Sequence, residues 1–296
     1  MSTAPPDALQ DASTDTATYT ETVFKRDDSM AARHLGTWLW TLAVLMLAGC
    51  ATPPSTDRGH FVPREVTLDG TVHRYQVFVP RGAQSQRGRL PVVLFLHGSG
   101  ERGSNNRAQA EAGLGPYLRL KTDTFPALVV LPQVPAEEEW SGDNNRAAIA
   151  ALDATIAEFG ADPGRQYLTG MSMGGYGSWN IALDDPSRFA AIVPVCGAVL
   201  VPRAVRPTLF VESVAHEADP YAVMAQRLKD TPIWMFHGAL DDVVKPDDDR
   251  RLKAAFDAVG AKDVRYTEYP QGNHNAWDAT YADAQMWAWM FAQRRG

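Results

Sequence analysis

A series of short, unbroken apolar runs constrains this chain more than any other feature. They lie at residues 91–96, 127–131, 167–168, 190–195 and 232–236. A strand with one wet face alternates apolar and polar side chains, so continuous runs point to strands buried on both faces of a parallel sheet. Helical patterns separate several of them, at residues 145–159, 173–183 and 248–259. This alternation predicts a mostly parallel, doubly wound sheet with helices on both faces, in one α/β domain. Ahead of it, "REVTLDGTVHRYQVFVP" alternates around Asp69-Gly70, which predicts two antiparallel strands joined by a tight turn. The stretch 281–293, with Trp287, Trp289, Met290 and Phe291, predicts a closing helix against the sheet. Residues 200–222 break the alternation and read either as an insertion over the active-site face or as a plain surface loop.

The N-terminal part has a different composition. Residues 1–29 are rich in Ser, Thr, Ala, Asp and Pro, and so few large apolar groups predict a disordered extension. Met30 is a second candidate start. Arg33 and His34 precede an apolar run over 35–48, too short to span a bilayer comfortably but suited to a signal-peptide core, so 30–49 reads as an export signal. Its end, Leu47-Ala48-Gly49-Cys50, resembles the lipobox of bacterial lipoproteins. That resemblance implies lipidation of Cys50, a tether over 50–62, and a catalytic domain over 63–296 attached to the cell envelope. With no Asp in the second mature position, the resemblance leans towards the outer membrane.

Composition narrows the partners. The 296-residue chain carries a net charge of −7 with a pI near 5.5 and has no basic stripe, which argues against a nucleic-acid partner. Two cysteines are too few for a disulfide framework, and no metal-ligand spacing or phosphate loop is present.

The chemistry centres on "YLTGMSMGGYGSWN", residues 167–180. Glycine weakens a helix, yet four crowd the entry to a predicted one. Read as a strand, a turn Gly170-Met171-Ser172-Met173-Gly174 and a helix, the stretch matches the G-x-S-x-G nucleophile turn. The glycines then serve close backbone approach, and Ser172 is held at the carboxyl edge of the sheet. The same residues could instead be a glycine-rich helix start capped by Ser172. Partners favour the first reading, because a serine hydroxyl needs a base and the base an orienting carboxylate. Strand "PIWMFHG" runs into Asp241 and Asp242, and strand "VRYTEYP" runs into the loop of His274. All reach the edge that carries Ser172, in the order serine, acid, base. Either aspartate is a candidate from the residues alone.

An earlier strand ends in His97-Gly98-Ser99-Gly100. The backbone N–H groups of Ser99 and Met173 are candidate oxyanion donors, each worth roughly 3–4 kcal/mol to a transition state; a simple glycine turn is the alternative for Ser99. Trp140 is expected either to wall an acyl pocket or to pack its loop. Cys196 reads as a small core residue. Asp247, Asp248 and Asp249 read as a helix cap and first turn. Glu101 and Arg102 read as a loop ion pair or as substrate contacts.

"LFLHGSGERG", "YLTGMSMGGYGSWN", "FAAIVPVCG", "PIWMFHGALDDVV" and "GNHNAWD" together resemble the α/β-hydrolase esterases of the dienelactone-hydrolase, carboxylesterase and "predicted peptidase" group, over about residues 63–293. The resemblance implies a cofactor-free serine hydrolase acting on small carboxylic esters, and its HG-x-x-D pattern selects Asp241 as the acid. Peptidases on this scaffold usually carry a large additional domain, so an esterase is expected. The alternatives are a serine peptidase and a non-catalytic envelope lipoprotein.

Overall fold

The computed structural model describes residues 57–200 and 206–295. The expected extension, signal and Cys50 all lie outside the described residues. Eight strands form one sheet, β1 (His60–Leu68), β2 (Thr71–Val79), β3 (Leu90–Leu96), β4 (Leu128–Pro132), β5 (Ala161–Met171), β6 (Ala191–Val195), β7 (Ile233–Gly238) and β8 (Val264–Tyr269). Their spatial order is β1-β2-β4-β3-β5-β6-β7-β8. The predicted hairpin is β1 and β2, paired antiparallel around Asp69-Gly70, and β2 pairs antiparallel with β4. Every later neighbour pair is parallel. This is the expected mostly parallel α/β-hydrolase sheet.

Two boundaries differ from the sequence reading. β1 begins at His60, inside the stretch expected as tether, because residues 60–63 continue the pairing with β2 as far as Val79. β5 runs for 11 residues, where only its short apolar end was legible; after buried Ala161, the residues from Asp162 to Gln166 are mostly polar or small and only partly buried.

Helices α2 (Gly142–Phe159), α3 (Met173–Asp184), α4 (Pro220–Leu228) and α5 (Asp247–Ala258) cover one face. Helices α1 (Leu114–Leu120), α6 (Trp277–Ala282) and α7 (Ala284–Ala292) cover the other. The predicted closing helix is thus two, broken at Asp283, whose side chain caps α7 by accepting from Gln285 N–H at 2.7 Å. A sheet covered on both sides explains the unbroken apolar runs: every side chain of β3, β4 and β6 is buried. Among the described residues, no helix is long and apolar enough to cross a membrane.

Strand order also locates a crevice. The chain leaves β3 for β4 on one side and leaves β5 for β6 on the other, while β3 and β5 are neighbours in register at Leu96 and Gly170. Loops that part in this way open a gap at the carboxyl ends of the two strands, where ligands bind in open α/β sheets.

Candidate active site

Ser172 sits at that gap, between β5 and α3. Its φ of 53° and ψ of −117° belong to a strained turn that a non-glycine residue holds only when its surroundings force it. They do: Ser172 N–H donates to Val195 O at 2.9 Å, and the Ser172 carbonyl already accepts from Gly175 N–H at 2.8 Å. The flanking glycines are there for contact. A Cβ on Gly170 would lie 2.2 Å from Gly174 O, and one on Gly174 would lie 2.0 Å from Leu96 O.

Two loops bring partners to this serine. The turn after β7 is tied to the loop after β8 by Leu240 N–H donating to Gly272 O at 2.8 Å and Ala239 N–H donating to Tyr269 O at 3.0 Å. His274 Nε2 lies 2.9 Å from Ser172 Oγ, and His274 Nδ1 lies 2.7 Å from Asp241 Oδ2. A carboxylate oxygen only accepts, so Nδ1 carries the proton and Nε2 is left to accept from the serine hydroxyl. Trp277 stands edge-on to the imidazole at 5.3 Å and helps fix its plane. Asp241 is buried, while Asp242 is exposed. The structure therefore brings Asp241, not Asp242, to the histidine.

Four donors hold the Asp241 carboxylate. Oδ1 accepts from Val243 N–H at 2.8 Å and Val244 N–H at 2.9 Å. Oδ2 is shared between His274 and His237, the latter's Nε2 at 3.2 Å. Burial alone would raise this carboxyl, but the hydrogen bonds from His237 and His274 hold it well below the usual carboxylate range.

The loop after β3 forms the opposite wall. A Cβ on Gly98 would lie 3.6 Å from Ser172 Cβ, so the backbone of this loop runs against the serine. Met173 is the first residue of α3, and N–H groups in the first turn have no acceptor within the helix. Buried His97 steadies this loop: its Nδ1–H donates to Gly98 O at 2.6 Å, and its Nε2 accepts from Val134 N–H at 3.0 Å. Burial pushes its pKa down to about 4.

Other residues singled out in the sequence find their places. Trp140 packs its loop, the second of the two expectations: only 2 % exposed, it donates from Nε1 to His97 O at 2.9 Å. Arg102 makes no pair with Glu101 but donates to the carbonyls of Ser99 and Glu138. Asp248 and Asp249 do more than open α5. Asp248 Oδ2 accepts from Val199 and Leu200 N–H, and Asp249 reaches His237. The described part of the irregular stretch packs down rather than hanging free. Arg206 donates to Ser99 Oγ at 2.9 Å and pairs with nearly buried Glu139 at 2.6 Å. Cys196 is a buried residue, as expected, with its thiol pushed up by burial. Its sulfur, an Asp241 oxygen and a His274 nitrogen lie within 4.8 Å of one another, a spacing a metal could span only by displacing the hydrogen bonds already on Asp241.

Sequence reasoning missed His237, Asp249 and Arg206. One signal was available for the first: His-Gly closes or directly follows a strand twice, at His97-Gly98 and at His237-Gly238. Nothing local marks the other two.

Residues 136–294, more than half of the chain, match the prolyl oligopeptidase family. The chain belongs to that family. Its curated relatives include the "Probable carboxylesterase" of Oryza sativa subsp. japonica, 25 % identical over 218 residues that cover 66 % of this chain and 86 % of that protein. A second is the "Probable feruloyl esterase C" of Aspergillus terreus, 24 % identical over 165 residues, 55 % of this chain and 57 % of that protein. Among solved structures, a thermostable esterase superposes with a TM-score of 0.65 at 31 % identity, covering 79 % of this chain and 63 % of that one. The chain is an α/β-hydrolase and a serine hydrolase.

Proposed function

We propose that the protein cleaves small carboxylic esters through an acyl-enzyme. Ser172 attacks the carbonyl, His274 takes the serine proton and returns it to the leaving alcohol, and Asp241 holds the imidazole tautomer. The backbone N–H groups of Ser99 and Met173 receive the developing oxyanion. Water then repeats the sequence on the acyl-enzyme. The observation that carries this reading is the unbroken chain Ser172–His274–Asp241, with contacts of 2.9 and 2.7 Å. The esterase names of the relatives favour esters, and the family match favours peptides as the second reading.

One comparison separates the two. A fluorophosphonate probe should label wild type and not Ser172→Ala. Wild type should hydrolyse p-nitrophenyl butyrate far faster than peptide p-nitroanilides. The opposite ratio would make it a peptidase, and absence of labelling would leave a non-catalytic lipoprotein.

Export and lipid anchoring through Cys50 form part of the same proposal, supported by the Leu47-Ala48-Gly49-Cys50 sequence and by the membrane affinity that multiple acyl chains supply. Cys50→Ala should lose labelled palmitate; equal incorporation by wild type and variant would reject it.

A further inference from the structure

We infer that His237 and Asp249 form a buried ionic extension of the triad, in which His237 sits as an imidazolium between two carboxylates and holds Asp241 charged and aimed at His274. The inference rests on the catalytic reading of Ser172, His274 and Asp241 given above.

Geometry sets the charge. His237 is fully buried. Its Nδ1 lies 2.7 Å from Asp249 Oδ2. Its Nε2 lies 2.9 Å from Val244 O and 3.2 Å from Asp241 Oδ2. With Asp249 ionised, each ring nitrogen faces only acceptors, and a neutral ring would point a lone pair at one of them where no water can intervene; burial pulls the Asp249 carboxyl up, while the hydrogen bond and charge of His237 pull it back down. Both nitrogens carry protons. Val244 closes the arrangement, since its N–H donates to Asp241 Oδ1 while its carbonyl accepts from His237.

Charge balance gives the arrangement its purpose. A buried carboxylate is expensive unless it is paired, and here Asp241 and Asp249 are both buried. Among the described residues Asp249 Oδ1 has no hydrogen-bond partner, so the imidazolium is what offsets that charge. Burial works against the protonated ring, but the hydrogen bonds to Asp241 and Asp249 outweigh it and push its pKa up to about 10. Of the other groups facing the cluster, Asp248 from α5 and Glu268 from β8 are acidic and push the Asp249 carboxyl up; Glu268 is lowered by the charge of His237 and is itself paired with Arg250. Tyr176, Tyr266 and Cys196 are raised by burial and remain neutral. His237 and Asp249 touch no reacting atom, so they are positioning residues.

The test is the pH dependence of the fluorophosphonate labelling rate, measured on the full chain for wild type, His237→Gln, Asp249→Asn and the double variant. Labelling needs the neutral His274, so its acid limb reports the field that Asp241 and its neighbours place on that ring. Loss of the His237 cation should move the limb up by about one pH unit. Loss of the Asp249 charge should move it down by about half a unit or more. The double variant should return towards wild type, a reversal that a merely structural role would not produce. If His237→Gln fails to fold, the downward shift in Asp249→Asn still decides. Limbs that stay at the wild-type position, with rates falling only in step with melting temperature, would overturn the ionic extension alone. A wild type that takes up no probe would overturn the catalytic reading and this inference with it.

Discussion

β3 runs directly into His97-Gly98 and β7 ends in His237-Gly238, and both histidines are completely buried, yet they hold different charge states. His97 faces one acceptor and one donor, Gly98 O and Val134 N–H, and stays neutral. His237 faces a carbonyl and two carboxylates and holds both protons. Burial disfavours the charged form in each case; the neighbours decide whether it prevails. The difference matches the two tasks. On the proposed mechanism the loop after β3 holds backbone N–H groups still for an oxyanion, which a neutral ring can do without adding charge. The turn after β7 must keep a carboxylate ionised where water is excluded, and this requires a cation.

The largest effect comes from breaking the acid side at its centre. Asp241→Asn should lower kcat on p-nitrophenyl butyrate by about 10⁴, because the amide favours the wrong imidazole tautomer. A loss below about tenfold, in a variant whose circular dichroism matches wild type, would show that the acid lies elsewhere. On the other side, His97→Gln should lower kcat by about 10–100-fold by loosening the Gly98 carbonyl and the adjacent oxyanion N–H. Its pH–rate profile should keep the wild-type acid limb, since no charge is removed. A shifted limb would erase the contrast with His237.

Stability should separate the two histidines as well. Burial pushes His97 down to about 4 in the folded chain, against an ordinary value of 6.5, so unfolding takes up a proton between those values. Its contribution is present above about pH 6.5 and lost as pH falls towards 4. His237 has a folded pKa near 10 against the same 6.5. Its contribution is complete below pH 6.5 and lost as pH rises towards 10. Melting curves across that range should show wild type losing its advantage over His97→Gln in acid and over His237→Gln in base, by on the order of 5 °C each. Advantages that do not change with pH would refute both assignments.

Two smaller effects bound the comparison. Arg206→Met releases Ser99 Oγ and leaves Glu139 without its cation, so kcat should fall by about three- to tenfold with KM little changed. A change in KM alone would move Arg206 from positioning to substrate contact. Asp242→Asn should stay within about tenfold of wild type, because an exposed carboxylate contributes little to the transition state. If it is the crippled variant, the acid is assigned to the wrong neighbour.

How much was legible in advance follows from how far each interaction reaches along the chain. The strand runs, the order serine, acid, base, and the glycines around Ser172 are short-range patterns, and they indicated the sheet and the three loops that meet at its edge. Choosing between Asp241 and Asp242 needed the family pattern, since both follow the same strand and only the turn's hydrogen bonds to Val243 and Val244 turn one carboxylate inward. Trp140 was open for a similar reason. A tryptophan after a strand has no local feature that separates a pocket wall from a ring packed against His97.

By itself, the sequence determined the α/β class, the parallel strands and the identity of a serine and a histidine at one sheet edge, because periodicity and strand–turn–helix geometry are written into neighbouring residues. Tertiary structure alone decided the charge on each buried histidine, the partnership of His237 with Asp249 and the hold of Arg206 on Ser99. Those properties depend on which acceptors lie within about 3 Å of a ring or guanidinium once water is excluded. In this chain the partners stand 12 and 107 residues away in sequence.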